Sequence, residues 1–138
     1  MGLLNSIWDS TLMKIAGNYS VTILCLILFL FIFEMVTKYD NWQGIKDGNV
    51  AIAMATGGKI FGIANVFRHS IAHHDTLFVM IGWGLYGFLL LMISYFIFEF
   101  LTPKFNIDEE IAKDNRAVGL ISMIISIGLS YVIGASLS

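Results

Sequence analysis

Few side chains in this sequence can do chemistry, and Lys59 stands out among them. It sits inside a glycine- and alanine-rich apolar stretch, AIAMATGGKIFGIANVF, with no acidic residue near it in sequence. TGGKI is not a phosphate-binding loop, because position 53 is alanine and isoleucine follows the lysine. The remaining chemistry for such a lysine is electrostatic: a buried ammonium that pairs with carboxylates. Glu34 and Glu99 are the candidates, each at the end of an aromatic, apolar FIFE run. Together Lys59, Glu34 and Glu99 could line an ion or proton path. The competing reading is structural, with Lys59 snorkelling into a polar crevice and the glutamates bonded at the membrane interface.

Other polar residues recur in patterns. Asn49 and Asn115 each open an apolar block, where a side-chain oxygen can cap the first free amides of a helix or contact an ion. His69 and His73 are four apart, on one face of a helix, and His74 and Asp75 follow. That spacing suffices for a weak surface metal site, but no HExxH motif supports it. A solvated outer loop is the simpler reading, although imidazoles also titrate near neutrality. Cys25 is the single cysteine, so it forms no disulfide within the chain and offers no metal-ligand spacing. No nucleophile–base pair stands out either, so the sequence points to no enzyme and no cofactor.

The elements that must position these residues are membrane spans. Of the 138 residues, 57% are hydrophobic and only 13% charged, against about 25% in a soluble domain. Blocks at 15–33, 48–67, 76–98 and 117–138 are each long enough to cross a hydrocarbon core of about 30 Å as a helix. Lys59 then falls about 16 Å into its span and the two glutamates about 5 Å into theirs, at 1.5 Å rise per residue. A lysine so deep costs roughly 2.5–3.5 kcal/mol, so something must offset it.

Charge sets the expected orientation. Lys38, Lys46, Lys104, Lys113 and Arg116 flank the loops after the first and third blocks, whereas Lys14 and Arg68 flank the other side. The excess places those two loops in the cytoplasm and both termini outside. Residues 1–14 lack a basic leader region and carry Leu3, Leu4, Ile7, Trp8 and Leu12 at helical spacing, which suits an amphipathic helix in the interface. The net charge of −2 and the lack of a basic cluster exclude a nucleic-acid partner.

Small residues form rows. Ser122, Ser126, Ser130 and Gly134 recur every fourth residue, and Gly58 and Gly62 do the same in the second block. Such rows let helix backbones approach closely; a serine-lined polar path is the alternative. The loop sequence IDEEIAK reads as a short amphipathic helix with an acidic, solvated surface. Loops 38–48 and 102–115 are the expected contacts for a cytoplasmic protein partner, and Trp42 reads as an interface anchor.

The chain also repeats itself. Phe31-Ile32-Phe33-Glu34-Met35-Val36-Thr37 recurs as Phe96-Ile97-Phe98-Glu99-Phe100-Leu101-Thr102, and Ile45, Asn49, Ala51 and Gly62 match Ile111, Asn115, Ala117 and Gly128. Two spans per copy make this a parallel repeat. This doubled FxFE…T pattern, with an asparagine-led N-x-A span, resembles the domain-of-unknown-function 350 family, also described as uncharacterised protein family 0719. The resemblance extends over nearly the whole chain from about residue 16. It implies a small multi-pass protein of the bacterial plasma membrane and supplies no activity or site residues. The second copy has Ile125 where the first has Lys59, so any lysine chemistry belongs to one copy.

The expected fold is therefore an all-α membrane protein. Its four transmembrane helices form two tandem hairpins, at 15–70 and 76–138, joined by an outer loop at 71–75 and preceded by the interfacial helix 1–14. The expected function is a homo-oligomeric assembly or scaffold component in the lipid bilayer, with a small oligomeric channel or ion-coupled transporter as the alternative.

Overall fold

A computed structural model describes residues 2, 11–37, 39–73, 76–101 and 106–137. Four long helices, α1 (Met13–Val36), α3 (Val50–His73), α4 (Leu77–Phe100) and α6 (Arg116–Leu137), are apolar and long enough to cross a membrane. Two short helices, α2 (Asn41–Lys46) and α5 (Ile107–Ala112), lie in the connections before α3 and α6. Most of the expected interfacial segment 1–14 lies outside the described residues. Of the segment expected as an outer loop at 71–75, residues 71–73 belong to α3, and residues 74–75 lie outside the described residues.

The two connections share one hydrogen-bonding plan. Asp40 caps α2 by accepting from the Gln43 amide, and Asn106 caps α5 by accepting from the Glu109 amide. Each short helix then ends on a residue with positive φ, Gly48 at 85° and Asp114 at 63°. This left-handed step stops the helix and turns the chain. Beyond it Asn49 accepts from the Ile52 amide at 2.8 Å and Asn115 from the Val118 amide at 3.4 Å. The asparagines thus satisfy amides at the starts of α3 and α6 that no carbonyl of the helix can reach.

Packing centres on α3, which makes its broadest contact with α6. Gly58 and Gly119 make that approach close. A Cβ on Gly58 would stand 2.7 Å from the Met123 Cα, and one on Gly119 would stand 2.7 Å from the Ala51 Cα. Ser122, Ser126, Ser130 and Gly134 are buried along the facing side of α6. The small-residue rows are therefore used up within one chain, so they give no argument for a second copy. On α4, Gly84 and Gly87 leave room for the Phe67 ring and the Val66 side chain.

Aromatic rings fill the space between α1, α3 and α4. Phe29 stacks on Phe88 with centroids 4.5 Å apart, and Phe33 meets Tyr95 edge-on at 5.3 Å. On α1 only Phe29, Leu30 and Phe33 are buried, so most of this helix is left to face lipid. The fold is one bundle with a closed centre beneath its two connections.

Candidate functional site

That closed centre holds Lys59. The side chain is 0% exposed, and its Nζ donates to the Tyr39 hydroxyl at 2.8 Å. Three rings surround the ammonium: Phe33 at 5.0 Å, Tyr39 at 4.9 Å and Tyr95 at 5.4 Å from Nζ to centroid. Ring faces carry negative charge, so three of them stabilise a cation that has lost its water. Tyr95 in turn donates its hydroxyl to Asp108 Oδ1 at 2.6 Å, and Asp108 is itself buried.

Each part reaches this point for a local reason. Phe33 faces inward at the last turn of α1. Tyr39 follows in the connection, just before the Asp40 cap fixes α2. Tyr95 lies one turn before the end of α4. Asp108 is carried in by α5, whose Ile107 and Ile111 are fully buried against Tyr39, Ala51, Ile52 and Ala55. The lysine stem spans the distance from the α3 backbone to this group, as long basic side chains do in membranes.

The site differs from the expected lysine–glutamate pair. The hydrogen bond of Lys59 goes to a tyrosine, and the carboxylate joined to its enclosure, through Tyr95, is Asp108. Both glutamates are half-buried near the helix ends. The acidic run of α5 is likewise not all solvated: Glu109 is exposed, but Asp108 turns inward and Glu110 accepts from Asn115 at 2.9 Å. Tyr39 lies outside the spans, and burial first, then Asp108 and Glu99, push its hydroxyl well above the usual phenol range. It therefore stays protonated and available to Lys59 at any ordinary pH.

Tyr39, Tyr95 and Asp108 were not singled out from sequence. A usable signal existed for Asp108, since Ile107, Asp108 and Ile111 share one helical face. Two more polar side chains are buried near this end of the bundle. Asn41 opens α2, and Thr56 stands one turn before Lys59; neither has a hydrogen-bond partner among the described residues.

Asn49 and Asn115 also act beyond capping. Asn49 Nδ2 donates across to the carbonyls of Ile111 and Ala112 at 3.1 and 3.0 Å. Asp114 Oδ1 accepts from the Ala51 amide at 3.0 Å. The two connections are thereby bonded to each other and to the start of α3.

His69 lies apart from this site. The His69 ring packs against Gly134, leaving no room for a Cβ there. His74, Asp75 and the His73 side chain lie outside the described residues. Among the described residues no group of three potential metal ligands stands together.

A four-helix bundle with a basic side chain sealed beneath paired connections defines a multi-pass membrane protein. The chain belongs to the family described as Domain of Unknown Function (DUF350), whose model matches residues 6–137. It is 62% identical over 134 residues to the UPF0719 transmembrane protein YshE of Bacillus subtilis, covering 97% of this chain and all of that one. It is 22% identical over 110 residues to the UPF0719 inner membrane protein YjfL of Escherichia coli, covering 80% of this chain and 82% of that one. No solved structure matches the chain significantly.

Proposed function

We propose that this protein is a membrane assembly component whose two connections form one rigid docking platform. The observation that carries the reading is the set of bonds between the connections, Asn49 to Ile111 and Ala112, and Asp114 to Ala51. Lys59 adds a tie from the transmembrane α3 to Tyr39 in the first connection. A flexible loop would serve as well if the connections only linked helices. Trp42, Ile45 and Lys46 on α2, and Glu109 and Lys113 in the second connection, leave apolar and charged side chains exposed on this platform. The excess of Lys and Arg in these connections supports a cytoplasmic location for it.

The test is photo-crosslinking in native membranes from probes placed at Trp42 and Lys113. One stoichiometric protein partner, captured from both positions, is the expected result. Crosslinks to lipid alone would end the platform reading. The proposal includes a homo-oligomer; with the small-residue rows used internally, a second copy would dock on the outward faces of α1 or α4.

The second reading is ion or proton transport, favoured by the intramembrane Lys59 with Tyr39, Tyr95 and Asp108 around it. Flux into liposomes, wild type beside Lys59→Met, separates the two. Flux lost in the variant with an intact fold supports transport, whereas no flux from well-inserted wild type leaves the platform.

A further inference from the structure

A groove of about 400 Å³ opens between α3 and α6, on the half of the bundle away from the connections. Its lining on α3 is Phe61, Ala64, Asn65 and Arg68, and on α6 it is Tyr131. The α3 residues are spaced as a single helical stripe. We propose that this groove binds an anionic phospholipid, with the phosphate on Arg68 and an acyl chain lying along Phe61 and Tyr131.

Charge and depth both select that occupant. Arg68 is exposed and makes no ion pair among the described residues. Arg68 stands five positions before His73, which places its Cα about 7.5 Å below that helix end. A guanidinium at this depth extends its stem toward the headgroup layer, where its fork matches two phosphate oxygens. Below it the Phe61 and Tyr131 rings, 6.4 Å apart between centroids, form an apolar wall that suits a hydrocarbon chain.

The floor of the groove is polar but already bonded. Asn65 donates to Ser130 at 3.0 Å, and Ser130 donates to the Ile127 carbonyl at 2.6 Å. This chain of bonds holds the groove's shape without offering a second charge. Within a bilayer the space cannot stay empty, and lipid is the material at hand. Arg68, unpaired among the described residues, makes an anionic lipid the favoured one.

The experiment is native mass spectrometry of the purified chain with equal amounts of phosphatidylglycerol and phosphatidylcholine. Wild type should retain phosphatidylglycerol preferentially, and Arg68→Gln should lower that preference about fivefold, the worth of one basic side chain at a membrane surface. Arg116→Gln, at the opposite end of the bundle, should leave it unchanged, and Arg68→Lys should retain part of it. Inorganic phosphate at millimolar levels should not compete. An unchanged preference in Arg68→Gln would overturn the proposal. So would an efficient disulfide between two copies carrying Ala64→Cys in native membranes, because a second chain would then occupy the groove.

Discussion

Lys59 and Tyr39 are joined by a 2.8 Å hydrogen bond that ties the centre of a transmembrane helix to the connection preceding it. The bond lies inside an aromatic enclosure, so its two halves are not equivalent. Removing the hydroxyl leaves a buried cation with one acceptor fewer. Removing the cation leaves a neutral phenol.

Tyr39→Phe should therefore destabilise the protein by about 2–3 kcal/mol, the range for a hydrogen bond to a charged group whose partner is left buried. Lys59→Met should cost less, because a thioether packs well against rings and carries no desolvation penalty. The double variant should be more stable than the sum of the two losses by about 1–2 kcal/mol. Thermal unfolding in detergent measures all three; strict additivity would show that the bond contributes nothing.

The Tyr39 hydroxyl sets a pH dependence whose sign follows from its environment. Its folded value is raised, while an unfolded tyrosine ionises near pH 10. The stability it contributes is complete below about pH 10 and is lost progressively above it. In the folded protein, the difference in phenolate absorbance between wild type and Tyr39→Phe should show no step near pH 10. A step there would place the hydroxyl in contact with solvent.

Gly119→Ala should cost about 1–3 kcal/mol, because the added Cβ would stand 2.7 Å from the Ala51 Cα and neither backbone can yield easily. Gly128→Ala meets nothing within 4 Å, so it should be neutral or slightly stabilising through helix propensity. Equal effects at the two glycines, read by thermal unfolding, would contradict the close α3–α6 contact.

Asp114 combines a positive φ with a carboxylate that accepts from the Ala51 amide. Asp114→Asn keeps an acceptor and tolerates the left-handed backbone, so it should change stability little. Asp114→Ala loses both and should cost about 2 kcal/mol, roughly one for the cap and one for the strain. Hydrogen exchange at the first turn of α3 should rise in the alanine variant alone.

The spans were legible from hydropathy because each must be apolar over its whole crossing. The asparagine caps were legible because capping is local, joining residues three apart. The surroundings of Lys59 were not. Its enclosure takes Phe33 from α1, Tyr39 from a connection, Tyr95 from α4 and, through Tyr95, Asp108 from α5. Composition pointed the wrong way for Asp108, since IDEEIA reads as a solvated run. Only the inward packing of Ile107 and Ile111 takes the neighbouring carboxylate out of water. Glu34 and Glu99, the visible carboxylates, are half-buried near their helix ends, while the hydrogen bond of Lys59 goes to Tyr39.

The partnership of α3 with α6 also governs the order in which the chain can be assembled. A ribosome delivers α3 to the bilayer before α4, α5 or α6 has been made. Until the last helix arrives, the glycine-lined side of α3 has no helix to receive it, and until α4 and α5 have been made Lys59 lacks both Tyr95 and Asp108. The first half is thus an unfinished product rather than a small protein awaiting a second. Its least lipid-compatible span must be held, by the insertion machinery or by the membrane interface, through the synthesis of everything that follows. Stopping translation after His73 should leave a fragment that membrane quality-control proteases clear, and co-expressing residues 76–138 as a separate chain should rescue it.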